Sequence, residues 1–312
     1  MVKGKILHIL KVENDIVSGE NLSSRLNISR VSIWKHIKKL QQLGYIIDSS
    51  PKGYRLTFSP DIPFAWEFPT REAKIHYFES VTSTMDIARD LARKGCPDFS
   101  VVIAGEQTKG RGRLKRIWDS AAGGLYFTLV LRPLIPPVVS PMVNFVTSIV
   151  LARTLREMFA IDAMVKWPND ILVNGEKLSG MLSEMDTEAD MVSFINIGLG
   201  ININNDVPLV EPRATSLKKI LGRRVSIKNF LETFLNNLEN RMLNETFKNI
   251  IAEWKPYTMT INRHVTIVTH RRRLQGLAVD VDDTGALILE LADGSREKII
   301  YGDCFHGELN TA

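Results

Sequence analysis

A chain of 312 residues, 44% hydrophobic and 24% charged, is long enough for two or three domains and has the composition of an ordinary globular protein. Its two cysteines, Cys96 and Cys304, lie far apart and outside any CxxC pair, which argues against a disulfide framework and a zinc site and fits a reducing, cytoplasmic setting. Charge is unevenly spread: residues 1–60 hold ten Lys/Arg against four acids, a local +6, so with +5 for the whole chain the remainder carries −1. The opening MVKGKILHILKVEND has no apolar run long enough for a signal peptide. The uncharged stretch 133–152 reaches membrane length, but Pro133, Pro136, Pro137 and Pro141 interrupt it. A turn-rich strand exit followed by a buried helix is therefore expected.

In chain order, Ile6, Leu7 and Leu10 share one helical face. SGENLSSRL predicts a second helix capped by Ser18. SRVSIWKHIKKLQQLG predicts a third, with Ile33, Ile37 and Leu40 inward and Gly44 at its end. YIIDSSPKGYRLTF reads as a hairpin around Ser-Pro-Lys-Gly. That order is the order of a winged helix-turn-helix, whose second motif helix enters the major groove while the wing touches phosphates. Candidate DNA contacts are Ser29, Arg30, Ser32, Lys35, Lys39 and Lys52. A merely solvated basic face is the alternative. Trp34 could instead pack on a neighbouring domain, and His36 reads as a helix-surface residue.

SPDIPFAWEFPT has three prolines and no helical period, so residues 61–72 read as a linker between a 1–60 DNA-binding domain and a domain spanning 73–258. In that domain AKIHYFES is a strand, and SVTSTMDIARDLARKG a helix capped by Thr82 or Ser83. VVIAGEQ and GGLYFTLVLRP are strands on either side of the loop KGRGRLKRIWDS. SPMVNFVTSIVLARTLREMF is a helix with Ser140 as cap and Pro141 at its first position. KWPNDILVNGEKLSG carries an Asn174-Gly175 hairpin signal. Helices set against a hairpin-rich sheet indicate α+β.

The loop places Lys109, Arg111, Arg113, Lys115 and Arg116 within eight residues. Gly105 and Gly110 have P-loop spacing, but Arg111-Gly112 stands where Lys-Ser/Thr belongs and no helix follows, so a Walker-type ATPase is unlike this pattern. Gln107 with GRGR and Trp118, then KWPNDILVNGEKLSG, then NIGLGININ, together resemble the biotin–protein ligases. The N-terminal winged helix makes the chain similar to their bifunctional form, which also represses biotin genes. The likeness covers nearly the whole chain. KWPND with its Lys-Leu-Ser-Gly strand carries it most specifically.

The resemblance implies ATP and Mg²⁺ as cofactors and biotin as substrate. Biotin is first activated to biotinyl-5′-AMP. It is then passed to a lysine of the biotin carboxyl carrier protein of acetyl-CoA carboxylase. Catalytic roles fall on Lys177, Arg113 and Arg111. Ser83, Thr84, Gln107, Gly110, Gly112, Gly180, Gly198 and Gly200 join them around biotin. Arg116, Trp118, Asn169, Asp170 and Asn202 are assigned to the nucleotide, Asp170 also to magnesium. Lys177 suits bridging of a carboxylate and an α-phosphate, whose mutual repulsion a site must neutralise. The plainer alternatives are an exposed hairpin lysine for Lys177 and core packing for Trp118. For Asn169 and Asp170 the alternative is an Asx-turn, and for the glycines a strand bend. Met85 departs from the family's Asn after Ser-Thr, and Leu114 from a further arginine.

The tail predicts helices, with Ser226 as a cap, then short strands punctuated by Asp-Asp-Thr-Gly and Asp-Gly. Residues 259–312 are thus expected to form an SH3-like small β-barrel. Arg271, Arg272 and Arg273 read as a solvated turn, or else a nucleotide or partner contact. A homodimer in the adenylate-bound form and operator DNA are further implied partners, with no membrane. Two rivals remain: a ligand-sensing regulator without ligase activity, and a lipoate ligase, whose Arg-Arg…Gly-Gly-Gly…His-Asp run is missing.

Overall fold

The computed structural model describes residues 1–207, 213–244, 246–269 and 272–306, without the Lys115 side chain. Arg271 lies outside the described residues. Two compact units divide the chain, Met1–Ile75 and His76–Ala312.

In the first unit, α1 (Val2–Glu13), α2 (Gly19–Leu26) and α3 (Arg30–Gln42) precede a hairpin of β1 (Ile46–Ser50) and β2 (Gly53–Phe58). The inward stripes include those the periodicity demanded, Ile6, Leu7 and Leu10 from α1 and Ile33, Ile37 and Leu40 from α3, and α1 buries Ile9 besides. The Ser18 hydroxyl caps α2 by accepting from the Asn21 amide at 3.0 Å, and Ser29 caps α3 by accepting from that of Ser32 at 3.2 Å. Residues 61–72 are ordered on this unit, with Phe64, Ala65 and Phe68 buried. Trp66 stacks on Phe64 at 4.7 Å, lies beneath the Lys3 ammonium and donates to the Tyr45 hydroxyl at 2.9 Å. Lys11 reaches Glu67 at 2.9 Å, and Tyr45 donates to the same carboxylate.

The second unit is built on a seven-stranded sheet. Its elements run β3 (Ile75–Val81), α4 (Thr84–Arg93), β4 (Ser100–Gln107), β5 (Leu125–Leu131), α5 (Ser140–Phe159), β6 (Ala163–Lys166), β7 (Asp170–Val173), β8 (Glu176–Glu188) and β9 (Met191–Ile201). Then follow α6 (Leu217–Leu221), α7 (Ile227–Asn244) and α8 (Ile250–Trp254). The strand order is β3-β4-β5-β9-β8-β7-β6, and the five ladders from β4 to β6 are antiparallel. Asn174 and Gly175, both with positive φ, make the tight β7–β8 turn that their residue types favour.

One sheet face carries α4, where Ala88 and Ala92 pack with Val102, Val130 and Phe194. The other carries α5, covered in turn by α7 and α8. This explains why α5 is apolar nearly all round: both its sides are buried. By length and composition it could cross a membrane, yet 67% of that apolar window is buried inside the protein. Its expected Ser140 cap is instead the first residue of the helix, because a 3-10 turn over Pro137–Val139 leads the chain in without a side-chain cap.

A five-stranded antiparallel sheet closes the chain: β10 (Arg263–Val268), β11 (Arg273–Val281), β12 (Leu287–Glu290), β13 (Arg296–Ile299) and β14 (Asp303–His306), in the order β13-β12-β11-β10-β14. Buried Trp167 ties it to the seven-stranded sheet. Its backbone amide donates to the Thr260 hydroxyl at 2.9 Å, and its indole to the Gly285 carbonyl at 3.1 Å. Arg272 pairs with Glu297 at 2.7 Å.

Candidate functional site

The basic loop leaves β4 and re-enters at β5, and its backbone holds it over the sheet. Amides of Thr108 and Lys109 donate to the carbonyls of Val81 and Thr82, each at 2.9 Å, which docks the loop beside Ser83 and Thr84. Gly112 N–H donates to the Arg116 carbonyl at 2.8 Å and Trp118 N–H to that of Gly110 at 3.0 Å. Leu114 takes left-handed φ/ψ at the loop's tip. Arg111 and Arg113 thereby become half-buried over the sheet, while Arg116, which lines the same space, stays exposed as Lys109 does.

Beneath them is a cleft of about 940 Å³, counting the space open to solvent. It brings together Ser83, Thr84, Gln107, Arg111, Gly112, Arg113, Arg116, Trp118, Asn169, Asp170, Lys177, Gly180, Gly198 and Gly200. Gly110 and Asn202 do not line it. Gly110 is buried within the loop, where a Cβ would strike the Trp118 carbonyl. Asn202 is spent on structure: its carbonyl accepts from Leu217 N–H at 3.0 Å and its side-chain oxygen from Asn205 at 3.0 Å.

The floor is the bare backbone of Gly180 and Gly200, on which the Trp118 indole lies; a Cβ at Gly200 would collide with that ring. Gly198 is covered by the Met85 thioether. One wall is a hydrogen-bond chain. The Gln107 amide oxygen accepts from Thr84 N–H at 2.8 Å and from its hydroxyl at 3.1 Å, while the Gln107 amide nitrogen donates to Ser120 at 2.9 Å. Among the described residues the buried Ser83 hydroxyl and Trp118 indole nitrogen find no hydrogen-bond partner, so two polar groups in the cleft remain for a ligand.

Among the described residues five cations and two carboxylates line the cleft, an excess of three positive charges. Asp170 lies between two ammonium groups, 3.1 Å from Lys177 and 3.3 Å from Lys166. Lys177 also sits over the Trp118 ring at 5.1 Å. Arg113 donates to Asn169 at 3.2 Å. Burial lowers its guanidinium pKa from the ordinary value, against the pull of Asp303 and Asp170, so it is a cation short of hydration that an anion would stabilise. Arg111 is oriented by Asp86 at 2.9 Å and Glu184 at 3.4 Å, and Arg89 grips the same Glu184.

Sequence reasoning missed the contribution of the C-terminal sheet. Asp303, Cys304 and Phe305 complete the wall; Asp303 pairs with Arg116 at 2.6 Å, and Phe305 lies under the same guanidinium. No spacing in the chain signals this contact. Burial pushes the Cys304 thiol up to about 12, which leaves it a neutral wall group rather than a nucleophile. In the first unit, Arg30, Lys35, Lys39 and Lys52 are exposed, Ser32 is half-buried, and the Ser29 hydroxyl is engaged as a helix cap. His36 is tucked in more than expected, and burial lowers its pKa.

The biotin/lipoate A/B protein ligase family model matches residues 77–202, an HTH domain matches 3–55 and a biotin protein ligase C-terminal domain matches 260–307. The bifunctional ligase/repressor BirA of Bacillus subtilis is 33% identical over 299 residues, covering 91% of this chain and 92% of that protein. Its Escherichia coli counterpart is 29% identical, with 90% of each covered. The solved biotin protein ligase from Aquifex aeolicus in complex with biotin and ATP superposes with a TM-score of 0.64 at 26% identity, over 76% of this chain and 99% of that one. The chain belongs to the biotin–protein ligase family, in the bifunctional form that is both ligase and repressor.

Proposed function

We propose that the cleft joins biotin to ATP and hands the product to a protein lysine. A biotin carboxylate oxygen attacks the α-phosphorus, the P–O bond to pyrophosphate breaks, and biotinyl-5′-AMP forms. A deprotonated lysine amine of a biotin carboxyl carrier protein then attacks the acyl carbon and AMP leaves. The observation that carries this reading is the excess of three positive charges converging on one glycine-floored cleft, which suits a carboxylate beside a triphosphate.

Lys177, Arg113 and Arg116 neutralise the two anions. Arg111 is held at the carboxylate end by its own acids. Ser83 and the Thr84–Gln107 pair offer hydrogen-bonding groups to the ureido ring. Asn169 and Asp170 serve the nucleotide. Asp170 fits poorly as a protein ligand for magnesium, since both its oxygens are engaged by ammonium groups. Among the described residues no group of three or more His, Cys, Asp or Glu could hold a metal. Magnesium, which shields phosphate charge, is read as carried by the ATP and not by a cage among the described residues. The setting is cytoplasmic. A homodimer formed with adenylate bound lets two helix-turn-helix units meet two half-sites of operator DNA.

The test is incorporation of labelled biotin into a carrier domain with ATP. Lys177→Ala should lower it by about 10²–10³, the usual loss when one transition-state-stabilising group is removed. No incorporation by the native chain would overturn the ligase reading. Deleting residues 1–60 should abolish biotin-dependent DNA protection.

A further inference from the structure

The helix α3, RVSIWKHIKKLQQ, contains no acid. Its buried stripe of Ile33, Ile37 and Leu40 supplies all that the helix gives to the core. Outside that stripe Arg30, Lys35, Lys38 and Lys39 are exposed, a charge pattern complementary to a phosphate backbone. Between these cations sit two side chains that neither folding nor phosphate binding requires: Val31, 63% exposed, and Trp34, 51% exposed. Three residues apart, they are neighbours on the helix surface and form one apolar strip in its N-terminal half.

A helix in the major groove presents its N-terminal residues to base edges. Of the groups displayed there, the thymine C5-methyl is the one that gains from apolar contact; the remaining edges are hydrogen-bonding atoms. We propose that Val31 and Trp34 read thymine methyl groups, so that this chain's DNA target presents thymines to the first two turns of α3. The inference rests on the DNA-binding reading of the first unit and names what that unit recognises. Arg30 and Lys35 flank the strip and supply phosphate or base-edge hydrogen bonds, and the Trp34 indole adds one donor. The cations bordering the strip favour nucleic acid over a protein partner, whose contact would bury charge without an answering anion.

The full chain, with biotin and ATP, is used to select from a pool of random DNA duplexes. The enriched duplex is then resynthesised with deoxyuridine in place of thymidine, which removes only the methyls. Affinity should fall about fourfold for each contacted methyl, the loss expected for one buried methyl-sized group. Val31→Ala and Trp34→Ala should bind the thymine duplex more weakly and no longer distinguish it from the uracil duplex. Lys35→Ala should weaken both equally. Equal binding of thymine and uracil duplexes by the native chain, or undiminished discrimination in both apolar variants, would overturn the proposal while leaving DNA binding intact. Enrichment of no duplex would overturn the DNA-binding reading itself and assign the strip to another partner.

Discussion

Replacing Asp303 by Asn tests whether the C-terminal sheet latches the basic loop. Asp303 is 9% exposed and pairs with Arg116 at 2.6 Å, and its charge also acts on Arg113. Removing one partner of a fully buried pair costs about 3–5 kcal/mol, while an exposed pair contributes about 0–1 kcal/mol. The Arg116 side chain is 57% exposed and can rehydrate, which places this case at roughly 1–2 kcal/mol. If that energy holds the loop down over the ligand, the open form becomes roughly 5–30 times more populated. The assay is the release rate of labelled biotinyl-5′-AMP during a chase with unlabelled biotin. It should rise by the same factor, with the melting transition close to native. An unchanged release rate, or tighter ATP binding, would refute the latch: the latter would mean that Asp303 competes with phosphate for Arg116.

His306, hydrogen-bonded to Thr260 at 3.1 Å, is held down to about 4 by burial and then by Lys166 and Arg263. The unfolded chain takes a proton near the ordinary 6.5 that the folded chain refuses until about 4. This residue's contribution to stability is thus complete above pH 6.5 and drains away as pH falls toward 4. The loss reaches about 2 kcal/mol after allowance for the hydrated part of the ring, and His306→Gln should flatten melting temperature against pH in that window; an equal slope refutes the assignment. Gly200→Ala puts a methyl into the Trp118 ring, so the KM for biotin should rise at least about tenfold and tryptophan emission should shift red. Unchanged emission would mean that the ring does not rest there. Ser29→Ala removes the α3 cap, lowering the first unit's stability by about 1 kcal/mol and weakening DNA binding, while labelled-biotin incorporation stays native.

The winged helix was legible because its evidence is local: helical stripes, the Ser18 cap and a turn signal each act within a few residues. The loop and the KWPND hairpin were legible as residue types, and the structure brings their cations onto one cleft. What resisted reading depends on docking. Nothing near Asp303 announces that it will meet Arg116, some 190 residues away in the chain; that pairing exists because Trp167 bonds to Thr260 and Gly285. The Asp86–Arg111–Glu184 cluster is likewise a product of sheet register, which sets Glu184 opposite Asn196 on the cleft side. Gly110 and Asn202 sit inside recognisable motifs, yet their places in the fold are structural: one is pinned within the loop and the other holds the turn after β9.

The twofold covering of α5 bears on how the chain is made. Residues Ser140–Phe159 leave the ribosome about 85 residues before α7 is complete. At 5–20 residues per second, a helix with the hydropathy of a membrane span waits roughly 4–17 s without its outer cover. During that interval it is a substrate for chaperones and for membrane-targeting factors alike. Yield of this protein in a host cell should therefore respond to translation speed between codons 160 and 244 more than to any change in the folded protein's stability.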